Sequence, residues 1–255
     1  MNLTTIAATD GTGPALWLLE ELPGVADLVW SILARVDRER DPVRLVFAAA
    51  EPRAGNTVMA AATAVALTRH LRVPVCLIET DVEHPALANY LGLRSAGLSD
   101  VLDGRAKLDA CLQRVPLCPE LYALPAGLPR KPISGEFATP AMQEVLREAA
   151  QRGRFIVIDA PPALGRLESR LLLQHADAAV LVLRAGATRI DAAKRAQRML
   201  LEAGTPLLGS VFNAFTGAKE RRASQAYEYP RSTETLVDEL EAQSFTRPGI
   251  EREAP

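Results

Sequence analysis

Residues 47–57 read FAAAEPRAGNT, and the fold follows from how that stretch is read. It stands between a continuous apolar run at 43–48 and an Ala-rich segment at 57–70. A glycine-bearing loop between a buried strand and a helix is where backbone N–H groups cradle phosphates, the pattern G-x-x-x-x-G-K-[ST]. The corresponding positions are Ala50, Gly55, Asn56 and Thr57. One glycine and the hydroxyl are present, but the lysine is an asparagine. The stretch marks where a nucleotide would sit and lacks the cation that would hold its terminal phosphate.

Outward from the loop, strands and helices alternate. Apolar runs predict strands at 43–48, 73–78, 121–125, 155–158, 178–183 and 207–212, read as parallel strands buried on both faces. Helical spacing or composition predicts helices at 57–70, 85–91, 99–102, 108–115, 140–152, 166–175 and 189–203, with Pro85 suited to a first turn. Upstream, 26–36 (ADLVWSILARV) is amphipathic, with Leu28, Val29, Ile32, Leu33 and Val36 on one broad face. Residues 1–22 have no clear period. After Asn213 the chain turns polar, predicting a mobile stretch at 216–230 and a modest helix at 233–243. The alternation predicts a three-layer α/β/α domain around a mostly parallel sheet over 42–215. An arm and helix at 1–41 precede it, and a polar, partly mobile tail at 216–255 follows.

Composition sets the class. The chain has 255 residues, 48% hydrophobic and 24% charged, with a net charge of −2. That is ordinary for a globular domain and gives no electrostatic case for nucleic-acid binding. No apolar run reaches the roughly 18 residues that span a bilayer, and the first residues lack the pattern of a secretion signal. A cytoplasmic protein is expected. Cys76, Cys111 and Cys118 are an odd number without close spacing, read as reduced thiols, with Cys76 and Cys111 buried.

In a parallel sheet, ligands bind at the C-terminal ends of the strands. The loop, Glu79 with Asp81, and Asp159 all fall there. Thr57 is placed to ligate Mg²⁺ or to cap the helix. Asp159, after the strand FIVI, is placed as an acid linked to that metal, or as a loop or helix cap. Asn213 after LLGSVF is placed to bond an adenine edge or to hold a tight turn. A lysine ammonium would give phosphate a charge-assisted bond worth about 1.5–3 kcal/mol, so Asn56 should weaken catalysis more than binding. Arg53 offers a guanidinium from within the loop, although its Cβ stands where a glycine would ease the cradle.

The order VRLVFAAAEPRAGNTVMAAATAVAL, VCLIETDVEHPALANYLGL, GLSDVLDG, LYALPAGLPRKP, FIVIDAPPAL and LGSVFN resembles the cytoplasmic domain of bacterial tyrosine kinases. These accompany capsule and exopolysaccharide export and belong to the MinD/ParA-like group of deviant P-loop ATPases. The resemblance covers about residues 26–213. Its loop, P-G-E-G-K-[ST], matches Pro52 to Thr57 with Arg53 for Gly, Ala54 for Glu and Asn56 for Lys. The family's D-x-D matches Glu79-Thr80-Asp81, without the basic residues that usually follow, and its next acid matches Asp159. The subunit-ring motif E-x-x-R-x-x-R falls on Asp27, Trp30 and Leu33, so both arginines are missing. Of the tyrosine-rich tail only Tyr227 and Tyr229 remain as phosphoacceptors.

The resemblance implies ATP and Mg²⁺ as cofactors if the site is functional, with Arg53, Ala54, Gly55, Asn56, Thr57 and Asn213 toward the nucleotide. It implies Thr57, Asp81 and Asp159 toward the metal, and Glu79, Asp81 and Asp159 toward catalysis. It also implies a partner, the cytoplasmic end of a membrane polysaccharide co-polymerase, and with it a place at the inner face of the membrane; a homo-oligomer is compatible. Trp30, Ile32 and Leu33 would then face that partner or belong to the core. With loop, basic residues, ring motif and tail eroded together, the expected function is a regulator or scaffold in exopolysaccharide synthesis, with weak or absent ATP hydrolysis. The alternatives are a working tyrosine autokinase or ATPase, and a positioning ATPase of the MinD/ParA kind.

Overall fold

The computed structural model describes residues 24–37, 39–116, 118–133 and 135–214. The expected arm at 1–22, the tail at 216–255, and Tyr227 and Tyr229 lie outside the described residues.

The described elements, in order, are α1 (Val25–Leu33), β1 (Val43–Ala49), α2 (Asn56–Leu71), β2 (Val75–Glu79), α3 (Leu87–Leu91), α4 (Leu98–Leu102) and α5 (Leu108–Cys111). Then come β3 (Gln113–Val115), β4 (Cys118–Leu124), a 3-10 turn (Glu136–Ala138), α6 (Pro140–Ala150), β5 (Phe155–Asp159), α7 (Leu167–Leu173), β6 (Ala178–Arg184), α8 (Ile190–Glu202) and β7 (Leu207–Asn213). The sheet order is β3-β4-β2-β5-β1-β6-β7. All neighbouring pairs run parallel except β3 with β4.

Alternate residues of β1 feed two cores, because successive side chains point to opposite faces of a strand. Leu45, Phe47 and Ala49 join Val29 and Ile32 of α1 and the Ala-rich α2 on one face. Val46 and Ala48 join Val145 of α6, Leu172 of α7 and Leu200 of α8 on the other. This double burial is why the central strands read as unbroken apolar runs. Small side chains at Ala60, Ala61, Ala62 and Ala64 let α2 lie close against the sheet, and all four are fully buried. Ile32 and Leu33 belong to this core, while Trp30 is half-buried with its ring 6.5 Å from that of His70.

Three expectations need correction. The helix expected at 108–115 ends at Cys111, and Gln113–Val115 instead forms β3 against β4. The Gln113 amide fixes that edge: Oε1 accepts from Arg94 N at 2.9 Å and Nε2 donates to Arg94 O at 3.0 Å. Thr57 is not the cap of α2, which begins one residue earlier behind Gly55 at φ 89°. Pro85 does not open α3, which starts at Leu87 because Glu79 takes the N–H groups of Ala86 and Leu87.

Candidate nucleotide site

The strand order places β1, β5 and β2 side by side, and their register brings the acidic ends together. Phe47 pairs with Asp159 across β1–β5, and Glu79 pairs with Asp159 across β2–β5. The loop between β1 and α2 closes over that row. α2 has 16 residues and no side chain capping its first turn, so its leading N–H groups are available to an anion.

Asn56 is turned inward. Its Nδ2 lies 2.8 Å from Phe47 O, 2.7 Å from Asp159 Oδ1 and 2.9 Å from Ala160 O. An amide carries two N–H donors, so three close acceptors already exceed its capacity. This residue ties the loop to the ends of β1 and β5. Two buried polar atoms beside that tie, Asn56 Oδ1 and Asp159 Oδ2, have no hydrogen-bond partner among the described residues.

Asp159 is 1% exposed. Burial pushes its carboxyl well up, the Glu79 charge adds to the rise, and the Thr57 and Asn56 side chains oppose it. Glu79 is fully buried and also raised, first by burial; the N–H groups of Ala126, Ala86 and Leu87 hold it down and Asp81 pushes it up. Its Oε1 accepts from Ala86 N at 2.6 Å and Leu87 N at 2.9 Å, and Oε2 accepts from Ala126 N at 3.0 Å. Both oxygens are thus occupied in holding two loops. Asp81 is half-buried and accepts from His84 N at 3.1 Å within its own turn. Tyr90, packed near the acids, has its phenol raised by burial and then by the charges of Asp159 and Glu79.

Around the loop, Arg53 has φ 62° and an exposed side chain. Its position is left-handed, which costs a side-chain-bearing residue roughly 1–2 kcal/mol. Asn213 Nδ2 donates to Ala54 O at 2.9 Å, and Asn213 Oδ1 accepts from Ala214 N at 2.8 Å. A Cβ on Gly55 would come within 1.9 Å of Asn213 Nδ2, so only glycine fits against that amide. Arg184, at the end of β6, donates from Nη1 to Arg53 O at 3.0 Å. Arg184 closes an apolar run, AAVLVLR, with no motif around it, so no local pattern marks it.

Among the described residues no group of three or more His, Cys, Asp or Glu is placed to hold a metal ion. A magnesium ion needs no such cage, since it binds through one or two carboxylates together with water and phosphate oxygens. Thr57 and the unpartnered Oδ2 of Asp159 fit that demand. The loop therefore fits a magnesium-bound nucleoside phosphate for binding, while the position of the phosphate-reaching lysine does not. No helix among the described residues is long and apolar enough to cross a membrane.

No family model matches the chain. Tyrosine-protein kinase YwqD of Bacillus subtilis is 29% identical over 182 residues, 71% of this chain and 75% of that protein. This chain is a homologue of bacterial tyrosine-protein kinases. EpsB of Ralstonia solanacearum, provisionally named a tyrosine-protein kinase, is 28% identical over 142 residues, 55% of this chain but 19% of that protein. Among solved structures, the VpsO kinase domain is 26% identical with a TM-score of 0.68, covering 78% of this chain and 98% of that one. The septum site-determining protein MinD of Pyrococcus horikoshii, solved with Mg-ADP, is 22% identical with a TM-score of 0.57 over 74% of this chain and 79% of its own. The kinase homologue thus has the MinD-like P-loop fold.

Proposed function

We propose that this tyrosine-kinase homologue keeps a nucleotide cradle but hydrolyses ATP weakly or not at all, and acts as a regulator or scaffold in exopolysaccharide or capsule synthesis. The carrying observation is the inward amide of Asn56, spent on Phe47 O, Asp159 and Ala160. A neutral group held there cannot meet charge developing on a transferring phosphoryl group, and fixed electrostatic stabilisation is what such chemistry most needs. Ground-state binding loses less, because the uncapped start of α2 still presents its N–H groups.

In this reading Thr57 and Asp159 hold the magnesium, and Ala54, Gly55 and the first turn of α2 take the phosphates. Bound magnesium would neutralise phosphate charge and orient the terminal group. Glu79 keeps the loops at 86 and 126 in place, and Asp81 shapes the turn beside the metal. The pathway and its partner, the cytoplasmic end of a membrane co-polymerase that would bring the chain to the inner face of the membrane, follow from resemblance to the kinase family.

A second reading, a slow but working autokinase, is favoured by the retained pair Thr57 and Asp159. Titration with a fluorescent ATP analogue and Mg²⁺ tests the cradle. Binding is expected, with Asp159→Ala abolishing its magnesium dependence; no binding at millimolar nucleotide would overturn the cradle. Phosphate on Tyr227 or Tyr229 after incubation with ATP would favour the autokinase instead.

A further inference from the structure

In a trans peptide the C=O and N–H groups point in opposite directions. Two consecutive carbonyls of the loop are held from the same side of the sheet. Arg53 O accepts from Arg184 Nη1 at 3.0 Å, and Ala54 O accepts from Asn213 Nδ2 at 2.9 Å. Arg184 and Asn213 are register partners at the ends of β6 and β7. The N–H groups of the same two peptide units, those of Ala54 and Gly55, must therefore point away from that edge. Positive φ at Arg53 and Gly55, on either side of Ala54, gives the alternation of handedness that makes successive N–H groups converge on an anion.

Arg184 is itself firmly placed. Its backbone N–H donates to Thr188 Oγ1 at 2.8 Å, and its carbonyl accepts from Ala187 N and Thr188 N. Its guanidinium carries five N–H donors. Among the described residues no carboxylate forms an ion pair with it. A half-buried cation with no ion-paired carboxylate among the described residues thus stands against the loop that lacks its lysine.

We propose that Arg184, with Asn213, is a positioning residue for nucleoside phosphate binding: it grips the loop by the Arg53 carbonyl and so aims the Ala54 and Gly55 N–H groups at the phosphates. The proposal rests on the nucleotide reading of the loop. It also explains how an anion is held without a lysine, since the positive charge arrives behind the cradle.

The test measures the affinity of the full chain for ADP with Mg²⁺ by calorimetry, for wild type, R184A and R184K, beside the thermal midpoint of each protein without nucleotide. R184A should weaken ADP binding by about tenfold or more with the ligand-free midpoint little changed. R184K, whose ammonium can still donate to a carbonyl, should recover part of the loss. If wild type does not bind, both the nucleotide reading and the Arg184 assignment fall. If wild type binds and R184A binds as well, the Arg184 assignment falls alone. It falls too if R184A loses affinity only in proportion to the folded protein lost.

Discussion

At the scale of single residues, the site is two buried acids with an amide in place of a cation. Asp159 and Glu79 both have raised carboxyl pKa values, burial being the first cause in each. At these two groups the folded protein binds more protons than the unfolded chain, so their contribution to stability is greatest at low pH and falls as pH rises. The fall begins near the ordinary values of 3.8 and 4.5 and ends above the raised ones. Asp159→Asn removes one charge and keeps an acceptor for Asn56. It should stabilise the nucleotide-free protein at neutral pH and flatten the pH dependence of its urea midpoint. An unchanged pH slope would mean that Asp159 is not the titrating group. Asp159 and Glu79 were legible in sequence because they end apolar strands, and position 56 because it falls at the lysine place of the loop pattern. That Asn56 turns inward was not, since one amide has acceptors available on every side of such a loop.

At the scale of elements, the chain positions were readable wherever periodicity was long. α2 and the central strands appear within a residue or two of expectation, because the core imposes their pattern. β3 was not readable: three residues at a sheet edge show no period, and what fixes them is the Gln113 contact to Arg94, 19 residues away. The turn into α4 is another long-range matter. Leu98 N and Ser99 N donate to Pro125 O and Ala126 O at 2.7 and 2.9 Å, bringing Gly97 against that backbone. A Cβ there would stand 2.1 Å from Pro125 O and 2.5 Å from Gly127 N. Gly97→Ala must therefore push two backbone segments apart and should cost roughly 1–3 kcal/mol or more. Gly104→Ala, at φ 69° with nothing within 4 Å, should cost only the backbone strain of about 1–2 kcal/mol. Urea denaturation of the two variants checks the order; equal losses would argue against close packing at Gly97.

At the scale of the molecule, the order β4-β2-β5-β1-β6-β7 gathers onto one edge residues that are 159 apart in the chain, as Asn213 is from Ala54. A mostly parallel sheet could be expected from β-α-β alternation; the strand order and the grip of β6 and β7 on the loop could not, because no local pattern encodes them. In the proposed reading the fold is kept, while Asn56 stands where a lysine would reach the terminal phosphate. Binding and turnover should therefore come apart. Single-turnover ATP hydrolysis by the full chain, run with protein in excess over ATP and concentrated enough to bind all of it, compares wild type with the Asn56→Lys, Arg53→Gly double variant. Saturable Mg-dependent binding with little or no phosphate released by wild type, and release increased at least about tenfold in the double variant, is the predicted result. Phosphate release by wild type at a rate equal to that of the double variant would contradict it.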